Sequence, residues 1–145
     1  MQYSINLSLP STGKGIYGVG VDIVNIKRIQ KLYSNYQQKF INKVLTDFEI
    51  SVFKNIKREQ MQVKYLAKRF AAKEAISKAL GTGICEYCTF HDIEISNDCK
   101  GKPQAFLSRK TFDYFFSNGQ CDIYLSISDE FDFAIAYAVL YIVAS

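Results

Sequence analysis

The chain has 145 residues, 48% hydrophobic and 14% aromatic, a balance that suits one folded domain and excludes a disordered or fibrous protein. Eighteen Lys and Arg against fourteen Asp and Glu leave a net charge of +4, which favours anionic partners but falls short of a protein that coats nucleic acid. No stretch approaches the ~20 apolar residues of a membrane span, and residues 1–15 hold no apolar run of secretion-signal length, so the expectation is a cytoplasmic chain without membrane contact.

Residues 16–23 alternate small, aromatic and β-branched side chains around Gly18 and Gly20, predicting a buried strand that ends at Asp22. The two glycines do not make a dinucleotide loop, because the third glycine of G-x-G-x-x-G would fall on Ile23. Ile26, Ile29, Leu32 and Tyr33 then recur at helical spacing with Lys27, Arg28 and Lys31 opposite, predicting a helix with a basic face. Thr46-Asp47-Phe48-Glu49 is a capping box and should open a helix over 47–56. Residues 63–80 contain no Gly or Pro and stop at Gly81, which predicts a long helix closed by a left-handed cap.

In the second half, residues 90–96 alternate as a strand, 97–101 form a turn and 103–107 pair back. Ser108 caps a helix to about residue 117, and 121–128 with 133–143 read as a hairpin around 129–132. This order predicts an α+β fold with a largely antiparallel sheet packed against the long central helix. Residues 1–14 read as an N-terminal extension and 15–145 as a single domain. A domain of this size buries roughly two-thirds of its unfolded surface, so oligomerisation has room to add stability.

Cys85 and Cys88 have the spacing of half a zinc site, but Cys99 and Cys121 do not form a second close pair, and the four read as incidental reduced thiols. The pair follows Gly81-Thr82-Gly83 instead of opening a helix after a strand, which argues against a thioredoxin-like motif. His91 is the only histidine, so a multi-histidine metal site is excluded.

At 100° per residue, Glu74, Ser77, Lys78 and Gly81 share an arc of about 100° on the central helix, with Arg69 and Lys73 round the side. That face is either an ordinary exposed Glu-to-Lys pair or part of a site. If Asp22 converges on Glu74, two carboxylates plus water suit Mg2+, and a lysine beside them suits a diphosphate. Asp92 and Glu94, on one face of a predicted strand, form a competing carboxylate pair whose alternative is a polar sheet surface.

Several segments together resemble holo-acyl-carrier-protein synthase, the small type of 4′-phosphopantetheinyl transferase. They are Gly18-Val19-Gly20-Val21-Asp22-Ile23-Val24 with Lys27-Arg28-Ile29, the run from Arg69 through Lys73-Glu74-Ala75 to Gly83, Asp92-Ile93-Glu94-Ile95, Gly101-Lys102-Pro103 and the closing Leu125-Ser126-Ile127-Ser128. The resemblance covers residues 15–143. It implies the transferase fold and Mg2+-dependent transfer of 4′-phosphopantetheine from coenzyme A to a serine of apo acyl carrier protein, releasing adenosine 3′,5′-bisphosphate, in fatty acid biosynthesis.

By the same resemblance, Asp22 and Glu74 hold the metal, Lys78 faces the diphosphate, and Glu74, directly or through a metal-bound water, serves as the base for the carrier serine. Arg69, Ser77, Gly81, Lys102 and Pro103 match positions around coenzyme A. Arg28, Lys39 and Lys43 match the positions that receive the acidic carrier, and the assembly implied is a homotrimer with interfacial sites. One motif departs: relatives close on Ser-Ile-x-His-Thr, whereas this chain has Asp129-Glu130, a carboxylate where a cation-capable donor stands. The rival reading is a basic module that binds nucleic acid through its Lys/Arg helices, although Glu74 interrupts the basic run.

Overall fold

The computed structural model describes residues 14–116 and 119–143, so residues 1–13 of the expected extension lie outside it. The chain runs β1 (Gly15–Asn25), α1 (Ile26–Val44), α2 (Asp47–Lys54), α3 (Glu59–Ala79), a 3-10 turn (Phe90–Asp92), β2 (Ile93–Asn97), β3 (Pro103–Leu107), α4 (Arg109–Phe116), β4 (Gln120–Asp129) and β5 (Phe133–Val143). All strand pairing is antiparallel: β1-β5-β4 form one sheet and β2-β3 a second.

Small residues bring α3 onto the larger sheet. Ala134, Ala136, Ala138 and Leu140 point from β5 into the core, and α3 answers with Ala67, Ala71, Ala72, Ala75 and Ala79, all buried. On β1 the matching positions are Gly18 and Gly20, where a Cβ would collide with the backbone carbonyl oxygens of Ala79 and Ala75. Because β2 and the first two helices cover the rest of α3, buried residues occur round most of its circumference and not along one stripe.

The sheet's other face is uncovered. Val19, Val21, Ile23, Phe133, Ile135 and Tyr137 alternate with the core-facing residues, and each is exposed. Among the described residues no helix is long and apolar enough to cross a membrane.

Three boundaries differ from expectation for identifiable reasons. β1 continues three residues past Asp22, to Asn25, whose side chain then accepts from the Arg28 amide at 3.1 Å and caps α1. Inside α1, Gln37 adopts φ 41° and ψ −117°, a break that stops the basic face of Lys27, Arg28 and Lys31 from continuing in register to Lys39 and Lys43. The strand expected over 90–96 begins only at Ile93, because Thr89 and Asp92 form a capping box that winds Phe90–Asp92 into a 3-10 turn.

Candidate active site

The close approach of β1 to α3 places Asp22 against the last turns of the helix. Directly beyond Gly20 on the same face of β1, Asp22 accepts from Lys78 Nζ at 2.8 Å, and the same ammonium donates to the Val21 carbonyl at 3.2 Å. Glu74 stands one turn earlier on α3 and is half-buried. Burial, and next the negative charge of Asp22, push its carboxyl pKa up, while Lys78 and Arg28 oppose the rise. Among the described residues Glu74 has no cationic partner within 4.0 Å.

Two hard oxygen donors with an open side fit Mg2+, which retains water and takes its remaining ligands from substrate phosphates. They do not fit a closed zinc centre, and among the described residues no group of three or more His, Cys, Asp and Glu is poised to hold a metal. The unpartnered half-buried Glu74 carboxylate beside Asp22 is the feature that a divalent cation would satisfy.

The other expected site residues scatter. Ser77 is buried and its hydroxyl donates back to the Glu74 carbonyl at 2.9 Å, while Gly81, with φ +91°, ends the helix at the surface. Arg69 is buried on the far side of α3, donating to Asn97 Oδ1 at 2.8 Å with its guanidinium 4.5 Å from the centre of the Tyr65 ring. Its Nε is buried without a hydrogen-bond partner. Lys102 and Pro103 line a separate cleft of about 700 Å³ between β3 and β4. Arg28, Lys39 and Lys43 are all exposed, but only Arg28 is close enough to influence Glu74.

Asp129 turns inward to α3, where Lys64 and Lys68 reach it at 3.1 and 3.2 Å. Burial disfavours its charge, but the two lysines prevail and hold its pKa below the ordinary carboxylate range.

The Asp92–Glu94 pair does not form a site. Asp92 lies in the 3-10 turn, not on the strand, and accepts from the Thr89 amide and hydroxyl at 2.8 and 2.7 Å and from Ser108 at 2.7 Å, while Glu94 accepts from Thr46 at 2.8 Å. Burial opposes ionisation of Asp92, but these bonds and Lys110 outweigh it and hold the group at about 2. The strand face expected to be shared by the two residues fails because the Thr89-x-x-Asp92 capping signal competes with strand alternation.

A second cluster escaped the spacing argument. Lys73 is fully buried and donates to Glu49 Oε2 at 2.6 Å, Val44 O at 2.7 Å and Phe90 O at 2.9 Å. Its signal was a lysine set among Ala71, Ala72 and Ala75, a place for a charge only if a carboxylate meets it.

A family model described as the 4′-phosphopantetheinyl transferase superfamily matches residues 18–138. The chain belongs to that superfamily. This transferase is 47% identical over 125 residues to the holo-[acyl-carrier-protein] synthase of Vibrio atlanticus, covering 86% of the chain and 97% of the relative. Its fold matches the crystal structure of the Neisseria meningitidis holo-[acyl-carrier-protein] synthase with a TM-score of 0.79 at 40% identity, covering 87% and 98% of the two chains. The Bacillus anthracis synthase in complex with CoA (3′,5′-ADP) matches at a TM-score of 0.75 and 39% identity, over 90% and 98%. The α+β transferase fold expected from the sequence is the one found.

Proposed function

We propose that the chain is a holo-acyl-carrier-protein synthase that moves the 4′-phosphopantetheine arm of coenzyme A onto a serine of apo acyl carrier protein. The observation that carries this reading is the meeting of Asp22, Glu74 and Lys78 where β1 crosses α3. Asp22 and Glu74 would hold Mg2+, which when bound draws in the coenzyme A diphosphate and neutralises charge on the departing phosphate. Lys78 supplies a second, fixed positive charge beside the same phosphates. Glu74, directly or through a bound water, takes the proton of the carrier serine as that oxygen bonds to the pantetheine-side phosphorus. The bond between that phosphorus and the bridging oxygen breaks, and adenosine 3′,5′-bisphosphate leaves with the bridging oxygen.

The exposed basic side chains of Arg28, Lys39 and Lys43 offer a salt-sensitive landing surface for an acidic carrier. A homotrimer is supported by the uncovered apolar face of the β1-β5-β4 sheet. Within one chain the Lys102–Pro103 cleft stands apart from the carboxylates, and a neighbouring copy could bring its own cleft to them. The proposed setting is cytoplasmic fatty acid biosynthesis.

The test incubates the protein with Mg2+, coenzyme A and apo carrier and weighs the carrier by mass spectrometry. A phosphopantetheine-sized gain that vanishes on chelation is expected, with Asp22→Ala or Glu74→Ala lowering turnover by roughly 10²–10⁴-fold. No mass gain under any condition refutes the transfer, unchanged turnover in both variants refutes the site, and a monomer in sedimentation refutes the trimer.

A further inference from the structure

The turn that follows α3 carries two thiols for which the transfer reaction has no use. Gly81 and Gly83, with φ of +91° and +66°, swing the chain off the helix end. Beyond them the Cys85 amide donates to the Cys88 carbonyl at 3.0 Å and the Cys88 amide donates to the Cys85 carbonyl at 3.1 Å. Such a reciprocal pair sets its Cα atoms about 5.5 Å apart, within the roughly 4.4–6.8 Å that a disulfide spans. The turn is braced from α4: Thr111 donates to the Tyr87 carbonyl at 2.8 Å, Lys110 to the Glu86 carbonyl at 3.1 Å, and the Tyr87 and Tyr114 rings stack with centroids 4.2 Å apart.

The two thiols differ in surroundings. Cys85 is partly exposed, and the Tyr87 backbone amide favours its thiolate and brings its pKa below the usual thiol range. Cys88 is buried, and that burial pushes its thiol up to about 12. An accessible thiol whose ionised form is favoured, directly paired with a shielded thiol, is the arrangement of an attacking and a resolving cysteine.

We propose that Cys85 and Cys88 form an oxidisable dithiol site, converted by a hydroperoxide into a reversible intramolecular disulfide. The Cys85 thiolate attacks one peroxide oxygen, the S–O bond forms as the O–O bond breaks, and the leaving oxygen departs as water after protonation. The Cys88 sulfur then bonds to the Cys85 sulfur, the S–O bond breaks, and the Cys88 proton leaves with the second water. Two thiols and one hydrogen peroxide give one disulfide and two waters, the two sulfurs being oxidised and the peroxide oxygens reduced. Because the pairing already exists in the backbone, the new bond closes a turn that is formed, at the foot of the residue 81–83 segment.

The experiment treats the reduced full chain with limiting hydrogen peroxide and maps the product by intact mass and tandem mass spectrometry. Expected are a loss of two hydrogens located to Cys85 and Cys88 and reversal by dithiothreitol, with Cys99 and Cys121 left as free thiols. Cys88→Ala should keep its hydrogens and instead accumulate a sulfenic acid on Cys85 that dimedone traps. A link to Cys99, or the same two-hydrogen loss in Cys85→Ala, overturns the assignment. The product mapped in the unaltered chain decides the matter even if Cys88→Ala folds poorly, since peroxide treatment that leaves Cys85 and Cys88 as free thiols also overturns it.

Discussion

Lys73 and Lys78 lie five residues apart on α3, and each meets a carboxylate supplied by another part of the chain. At Lys73 every donor of the lysine and both oxygens of its carboxylate partner are engaged, and only the Arg69 Nε, 4.0 Å from Glu49 Oε1, is left without a hydrogen bond. Its three donors go to Glu49, Val44 and Phe90, while Glu49 also accepts from the Thr46 and Ile95 amides at 2.9 Å, and both side chains are 0% exposed. The cluster thereby ties the end of α1, the start of α2, the 3-10 turn and β2 to one helix. At Lys78 the accounts are open: the lysine side chain is 48% exposed, Asp22 is 15% exposed, and Glu74 stands beside them without a cation. A saturated polar cluster can hold a fold together but has nothing left for a ligand. An unsaturated one contributes little stability and keeps lone pairs free for a ligand.

This contrast predicts a gradient. Lys73→Met should cost about 3–5 kcal/mol, because it leaves the buried Glu49 carboxylate with only Arg69, at 4.0 Å, as a cation, whereas Lys78→Met should cost about 1 kcal/mol or less and act instead on the transfer rate. Urea unfolding of the two variants measures the difference, and equal losses would erase the distinction. Asp92 is the intermediate case, saturated but nearer the surface, with a side-chain exposure of 12%. Its pKa is depressed from the ordinary 3.8 to about 2, so the stability it contributes is present above the unfolded value and fades as pH falls from about 4 toward 2. Asp92→Asn should remove roughly 2 kcal/mol at neutral pH and flatten that part of the acid-unfolding curve.

Asp129, like Lys78, should show a small effect on stability. Asp129→Asn breaks its pairs to Lys64 and Lys68, which are 25% and 35% exposed, and should cost about 1 kcal/mol or less, shrinking further in high salt. A thermal melt at two ionic strengths reads that difference.

The parts of the fold that were legible in the sequence were those coded locally. Thr46-x-x-Glu49 announced the start of α2, and the Gly-free run to Gly81 announced α3, though not its first turn from Glu59. What local spacing could not carry was a second use of the same residue. Glu49 caps its own helix and also receives Lys73 from 24 positions away, a contact created only when α2 and α3 pack. The site was half legible for the same reason. Helical periodicity put Glu74 and Lys78 on one face, but it also assigned Ser77 to that face, where packing buries the hydroxyl against its own helix. Asp22 was identifiable as a charge on an apolar strand, while its approach to Lys78 depended on what two absent side chains permit.

Gly18 and Gly20 make the distance between β1 and α3 a backbone-to-backbone spacing, with no rotamer to adjust it. Asp22, the next residue on that face of the strand, inherits the spacing as a calibrated reach. Core substitutions elsewhere can be absorbed by repacking, but a methyl group at Gly20 has to lever the strand off the helix and carry Asp22 with it. Substitution therefore has freedom along the exposed basic side chains of α1 and almost none at these two positions. They act as the gauge block of the molecule.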